Sequence, residues 1–329
     1  MTLTEHQAGT SAEGPASPGL GRTAEGLSGW KVDRLTPALG AEIRGVALAD
    51  TGVDVDAIKA LLAEHHVLFF PDQHLDLDQH VALGRNFGPL EQHPHLANAF
   101  LHHPEVFELA ASKGGIADEW HTDLTFLAQP SVMSVLNMVR CADAGGDTMW
   151  TNLSLAYEEL SPPLQELCEG LSALHDAAPH GHPDKRTIHP VVRVHPLTGR
   201  KVLYVNEHFT RRIVELSHAE SEMLLGYLTR WVTSPRFTVR YHWHPGTIAM
   251  WDNRCTQHFV LNDFVGERII QRVTIMGDDV AGPGPRWPAH TARRGAVTWH
   301  DRQLKAALRE RSANGGGVGG PGGAGTLKG

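Results

Sequence analysis

The stretch Phe237-Thr238-Val239-Arg240-Tyr241-His242-Trp243, followed closely by Thr247-Ile248-Ala249-Met250-Trp251, holds two runs of β-branched and aromatic residues with no helical pattern between them. Side chains of that kind fit a pleated, half-buried surface, so both runs read as strands. The same reading extends outward to Val67 to Phe70, Val106 to Leu109, Ser131 to Val139, Thr148 to Thr151, Val191 to His195, Val202 to Val205 and Ile269 to Met276. Helix signals are fewer: Val55 to Glu64, Leu77 to Phe87, Pro163 to Leu171, and a capping box of Ser217 with Glu220 ahead of inward Met223, Leu224, Tyr227 and Leu228. Many strands, few helices and no βαβ alternation predict a mostly β fold with flanking helices, an antiparallel sandwich or barrel. The double-stranded β-helix, or jelly roll, is one such solution.

Residues 1–28 are rich in Gly, Ala, Ser and Thr, and residues 313–329 are more than half Gly, so both read as disordered tails. Between them no repeat or long linker appears, which predicts one domain over residues 29–279 and a C-terminal extension over residues 280–312 that closes with a short helix around His300 to Arg311. The formal charge of −8 gives no electrostatic reason to bind nucleic acid or an anionic membrane. No apolar run approaches a membrane span, and no secretory h-region opens the chain. Cys141, Cys168 and Cys255 are odd in number and widely spaced, which argues against a disulfide framework or a thiolate zinc site and suits a cytoplasmic protein.

Histidine is abundant, with 22 copies, but abundance alone selects no site. A His-x-Asp pair on a strand points both side chains to one face, so both can approach one ion. Two histidines and a carboxylate on one face of an octahedral ion leave three open positions, the arrangement of non-haem Fe(II) oxygenases. Three such pairs occur, against about one expected by chance, so context must choose. His74-Leu75-Asp76 lies in a polar segment before a helix, and His182-Pro183-Asp184 in a charged loop with a proline, so neither offers a rigid strand. His121-Thr122-Asp123, inside Trp120-His121-Thr122-Asp123-Leu124-Thr125-Phe126, reads as extended with large apolar neighbours that would dry a site. His258, beyond Trp251-Asp252-Asn253-Arg254, is the candidate third ligand.

Four motifs in order closely resemble the taurine dioxygenase family, which includes alkylsulfatases and phenoxyalkanoate dioxygenases. They are Trp120 to Phe126, Gly145-Gly146-Asp147-Thr148, Trp251-Asp252-Asn253-Arg254-Cys255-Thr256-Gln257-His258, and Arg268-Ile269-Ile270-Gln271-Arg272, with Leu39-Gly40-Ala41-Glu42-Ile43-Arg44-Gly45-Val46 matching earlier in the chain. The resemblance implies a double-stranded β-helix and an enzyme using Fe(II), 2-oxoglutarate as cosubstrate and O2, with His121, Asp123 and His258 as the metal ligands. It also implies a homodimer or homotetramer, although no interface signal is legible.

Charge counting supports a cosubstrate role for one arginine. Fe(II), one carboxylate and a 2-oxoglutarate dianion leave one net negative charge, so a buried site wants a further cation. Arg268 can supply it through a bidentate fork, with the Thr148 hydroxyl completing the grip; the resemblance puts both residues in that role. Arg272 lies ~13 Å further along the strand at ~3.3 Å per residue, too far to share the same carboxylate easily, and is left for a second anion. In the family this position grips the sulfonate, sulfate or carboxylate of the primary substrate, with a histidine that matches His93; Phe209 matches a position that packs on the substrate. Where taurine enzymes carry a tyrosine and an asparagine near the amino end of taurine, this chain has Leu96 and Ala117, which favours a longer apolar body over a small zwitterion. The loop from His175 to His189 is short for the family, which bears on the active-site lid.

The expected reaction is hydroxylation of a carbon next to a heteroatom in a small anionic substrate, an alkyl sulfate or sulfonate, with release of succinate and CO2 and collapse of the product. Phenoxyalkanoate ether cleavage or a biosynthetic hydroxylation would use the same chemistry. Two other classes fit less well: a zinc hydrolase on the same ligands would leave Arg268 and Thr148 unexplained, and a non-catalytic metal- or anion-binding β-helix protein would not require an intact ligand set.

Overall fold

The computed structural model describes residues 29–92, 102–113, 117–291 and 299–313. The tail expected over 1–28, most of that expected over 313–329, and the candidate substrate contacts His93 and Leu96 lie outside the described residues.

The first third of the chain carries β1 (Lys31–Arg34), β2 (Ala41–Arg44), α1 (Val55–His65), β3 (Val67–Phe70), α2 (Leu77–Arg85) and β4 (Phe107–Ala110). Then come β5 (Ser131–Arg140), β6 (Thr148–Asn152), α3 (Leu153–Glu158), α4 (Pro162–Glu169), β7 (Ser172–Ala177), β8 (His182–Pro190), β9 (Val192–Val194), β10 (Lys201–Leu203) and β11 (Thr210–Ile213). The last part holds α5 (His218–Val232), β12 (Thr238–Tyr241), β13 (Ile248–Asp252), β14 (Thr256–Val260), β15 (Ile269–Met276) and α6 (Trp299–Ala313). The Ser217–Glu220 capping box forms as expected, and α2 opens with a second one, Asp76 with Gln79. No described helix is long and apolar enough to cross a membrane.

A seven-stranded sheet in the order β1-β2-β3-β13-β5-β15-β4 makes one face of the molecule, and two three-stranded sheets, β12-β6-β14 and β11-β7-β8, make the other, with β9 and β10 paired apart. Among the described residues only β2 and β3 pair in parallel. The two strands of the opening stretch, β12 and β13, thus fall in different sheets, and the chain crosses the core between them. The facing layers meet through aromatic side chains: Phe69 stacks on Tyr241 at 3.7 Å between ring centres, and Trp150 meets Trp251 edge-on at 5.8 Å. This is the double-stranded β-helix architecture, and it sets Trp150 and Trp251 at the floor of a pocket between the sheets.

Four local expectations need correction. On α5, Leu224 and Leu228 are buried, but Met223 and Tyr227, expected inward with them, are exposed. The segment His175 to His189 is not a loop: β7 and β8 form a hairpin with His175 opposite Thr187. His182-Pro183-Asp184 therefore sits on a strand, and Pro183 is tolerated because β8 is the edge of its sheet. His121-Thr122-Asp123 is not a continuous strand either. His121 makes a single antiparallel bridge to His258, after which the chain turns, with Leu124 at a φ of 59°.

The extension ends in α6, slightly longer than expected, with Leu304 and Ala307 buried. From its other positions Gln303 and Glu310 reach Arg186 of β8, and Asp301 pairs with buried Arg212 of β11 at 2.8 Å. The helix therefore covers the β11-β7-β8 sheet.

Candidate active site

His258 lies on β14 opposite Trp150 of β6, and His121 exchanges two backbone hydrogen bonds with it, at 3.1 and 2.9 Å. That bridge stacks the two imidazoles at 4.1 Å between ring centres. The turn after His121 brings the Asp123 carboxylate beneath them, and one donor atom from each of His121, Asp123 and His258 lies within 4.8 Å of the others, all three residues buried.

The surroundings hold each group in a ligand-ready form. His121 Nδ1 donates to the Glu119 carbonyl at 2.7 Å, which leaves Nε2, 3.7 Å from Asp123 Oδ1, as the bare nitrogen. Burial holds both imidazoles below their ordinary pKa, His258 far below, so both present lone pairs. Among the described residues His258 Nδ1, which is buried, has no hydrogen-bond partner. Burial would raise the Asp123 carboxyl, but Arg272, His258 and His121 beside it and the Ser134 hydrogen bond overcome this and hold it well below the usual carboxylate range. A divalent metal fits this donor set: two neutral imidazoles, one carboxylate and a buried nitrogen that lacks a partner.

The Trp251-Asp252-Asn253-Arg254 motif supports the centre from behind. Trp251 Nε1 donates to Asn253 Oδ1 at 2.8 Å, and Asn253 Nδ2 donates to Ser131 and Ser134. Those hydroxyls in turn donate to the Asp123 carbonyl and to its Oδ2 at 3.1 and 3.0 Å. Asp252 serves a different cluster. With His195 and Cys255 it forms a second buried group of metal-type donors. Here, however, His195 Nδ1 accepts from the Leu197 and Thr198 amides, so Nε2 carries the proton and donates to Asp252 at 3.0 Å, while Arg254 fills the rest of that carboxylate. Its ligand positions are spent on protein hydrogen bonds.

Arg268 and Thr148 line the same pocket, of 420 Å³, as the three donors. Arg268 is buried, its Nε donates to the Gly146 carbonyl at 3.1 Å, and its Nη2 lies 3.4 Å from Thr148 Oγ1. Among the described residues it has no carboxylate partner within ion-pair distance, and burial lowers its pKa to about 10. An uncompensated guanidinium at the end of a cavity is a receptor for an anionic group. Gly146, at a φ of 69°, makes the fit possible: a Cβ there would stand 3.2 Å from Arg268 Cδ.

Arg272 shares the inward face of the large sheet with Ile270, Leu136 and Trp251, all of which line the pocket, but it is not unengaged: its Nη1 lies 2.8 and 3.0 Å from the two Asp123 oxygens. Phe209 and Ala117 also line the pocket. Sequence reasoning missed His180, His208 and Glu119, which lie along its wall. His208 stands next to Phe209 in a motif that was singled out, whereas His180 falls in the segment misread as a loop.

The family model described as taurine catabolism dioxygenase TauD, TfdA family matches residues 31–274. An alkylsulfatase of Acinetobacter baylyi is 36% identical over 277 residues, covering 76% of this chain and 86% of that protein. An alpha-ketoglutarate-dependent sulfate ester dioxygenase of Pseudomonas putida is 37% identical over 272 residues, covering 74% and 88%. The crystal structure of a taurine dioxygenase from Burkholderia xenovorans superposes with a TM-score of 0.72 at 38% identity, over 85% of this chain and 99% of that one. By the family match and these identities, the chain belongs to the taurine catabolism dioxygenase (TauD, TfdA) family, whose members are 2-oxoglutarate-dependent oxidoreductases.

Proposed function

We propose that this oxidoreductase binds Fe(II) through His121, Asp123 and His258 and hydroxylates the carbon next to the heteroatom of a small organic sulfate or sulfonate. The observation that carries the reading is the buried His-His-Asp donor set in one cavity with Arg268, a guanidinium that has no carboxylate of its own. The sulfate ester and alkylsulfatase relatives favour the sulfur oxyanion as the substrate class.

Iron with 2-oxoglutarate and O2 would supply the oxidation, giving succinate, CO2 and a hydroxylated product that collapses. The chain's own residues do the positioning. Arg268 takes the distal carboxylate of the cosubstrate in a fork, and Thr148 fixes its angle. Arg272 supplies positive charge for the substrate anion on the other side of the metal centre. Phe209, Trp150 and Trp251 exclude water and pack on the apolar body. Residues 29–279 form the catalytic domain in this reading and 280–312 its extension. The free state of all three cysteines suits a cytoplasmic enzyme, and a homodimer or homotetramer is the expected assembly.

The test is an anaerobic titration of Fe(II) and 2-oxoglutarate into the protein, followed by visible absorption. A weak charge-transfer band that His121→Ala abolishes, in protein shown to be folded, is expected. Its absence from iron-loaded wild-type protein would overturn the reading.

A further inference from the structure

His180 and His208 come from different parts of the chain, the turn between β7 and β8 and the segment before β11, yet their Nε2 atoms lie 3.3 Å apart on the pocket wall. His208 is held from several directions. Its Nδ1 meets Glu119 Oε2 at 2.5 Å, its carbonyl accepts from Arg211 Nη2 at 2.6 Å, and its ring packs on Phe209 at 4.4 Å between centres. An ionised carboxylate only accepts, so Nδ1 of His208 carries hydrogen, and in the tautomer with its hydrogen on Nδ1 the ring turns a lone pair at Nε2 towards His180. His180 must then supply the N–H between them. The pair thus presents one donor that can be redirected to an incoming acceptor.

The position of the pair says which ligand it meets. Arg268 and Thr148 occupy the cosubstrate end, whereas His208 adjoins His121, with ring centres 5.6 Å apart. His180 and His208 line the same cavity as Asp123 and Arg272. An anion held by the Arg272 fork has two oxygens engaged. A carboxylate then has no further oxygen to offer, but a sulfate ester or sulfonate retains a third that the fork does not reach.

Resting on the function proposed above, we propose that His180 and His208 are specificity-determining residues: His180 donates to this third oxygen, His208 holds and orients His180, and the pair so favours a tetrahedral sulfur oxyanion over a carboxylate. Glu119 acts through His208 as a positioning residue.

The test uses full-length protein with Fe(II) and 2-oxoglutarate under anaerobic conditions, and follows binding of hexyl sulfate, hexanesulfonate and 2-phenoxypropionate by the change in the visible band. The readout is the ratio of sulfate to carboxylate affinity, which a general loss of packing does not move. His180→Ala and His208→Ala are each expected to lower that ratio about tenfold, the scale of one hydrogen bond to a charged acceptor. His208→Gln, whose amide oxygen can accept the His180 N–H, is expected to restore part of it, while iron content and the 2-oxoglutarate titration stay those of the wild type. An unchanged ratio in both alanine variants overturns the inference, as does wild-type protein that prefers the carboxylate or binds none of the three probes. Failure of the cosubstrate band itself is a separate result, seen before any probe is added, and sinks the iron reading instead.

Discussion

Arg272 Nη1 lies 2.8 Å from Asp123 Oδ1 and 3.0 Å from Oδ2, so the cation expected to serve the substrate is ion-paired with the carboxylate expected to serve the metal. Arginine and metal then compete for one buried charge. Replacing Arg272 with Met is expected to tighten Co(II) or Mn(II) binding in the absence of 2-oxoglutarate and to destabilise the metal-free protein by about 3–5 kcal/mol, since a buried charge is left alone. Calorimetric metal titration and urea unfolding of the same variant check both signs. Weaker metal binding in folded Arg272→Met protein would contradict the competition.

Asn253 reaches Asp123 only through Ser131 and Ser134. Removing such a support lets the ligand carboxylate swing, and metal affinity is expected to fall by about 10–100-fold in Asn253→Ala. A Co(II) titration that matches wild type would show the clamp to be dispensable.

A Cβ added at Gly146 would stand 3.1 Å from Phe264 Cδ1 and 3.2 Å from Arg268 Cδ, and the φ of 69° suits glycine. In Gly146→Ala the new methyl group displaces Arg268, so the 2-oxoglutarate KM is expected to rise about tenfold or more, while the affinity for metal alone is unchanged. Equal KM values for variant and wild type would remove Arg268 from the cosubstrate end.

His66, His80 and His189 are buried, and burial first of all depresses each to about 4. The unfolded chain titrates them near the ordinary value of about 6.5. Between those limits the unfolded state binds protons that the folded state refuses, so stability is full above about pH 6.5 and falls as the pH drops towards 4. Each group contributes at most roughly 3 kcal/mol to that fall. Urea midpoints at about pH 7.5 and about pH 5 should differ in this sense. His80→Gln, which can keep the bond to the Val135 carbonyl, should flatten the difference.

Asp301 of α6 is the partner of Arg212, a guanidinium that is almost wholly buried. Asp301→Ala is expected to cost about 3–5 kcal/mol, far more than a surface pair, because the buried charge loses its counterion. Thermal melts of this variant and of Glu310→Ala, whose partner Arg186 is similarly sheltered but whose own side chain is half exposed, separate a buried pair from a rim pair.

Much of the site was legible because the needed residues sit in short motifs. His121 and Asp123 are two apart, Arg268 and Arg272 four apart, and the run from Trp251 to His258 carries both a ligand and its support. The β7–β8 hairpin was not legible: β8 is charged and contains Pro183, being an edge strand under α6, and β7 is buried at every position and so shows no alternation. His180 was lost with it.

From the sequence alone came the strand-rich class, the capping of α5, the metal-type pair His121 and Asp123 and the cation at Arg268, because periodicity, capping and ligand spacing are properties of neighbouring residues. Tertiary structure alone decided that β12 and β13 part into opposite sheets, that Arg272 closes on Asp123, that Ser134 and Asn253 brace that carboxylate, and that His180 meets His208. Each of these joins residues through sheet register or packing across the core, and a register is set only when strands distant in the chain pair and bury a common face.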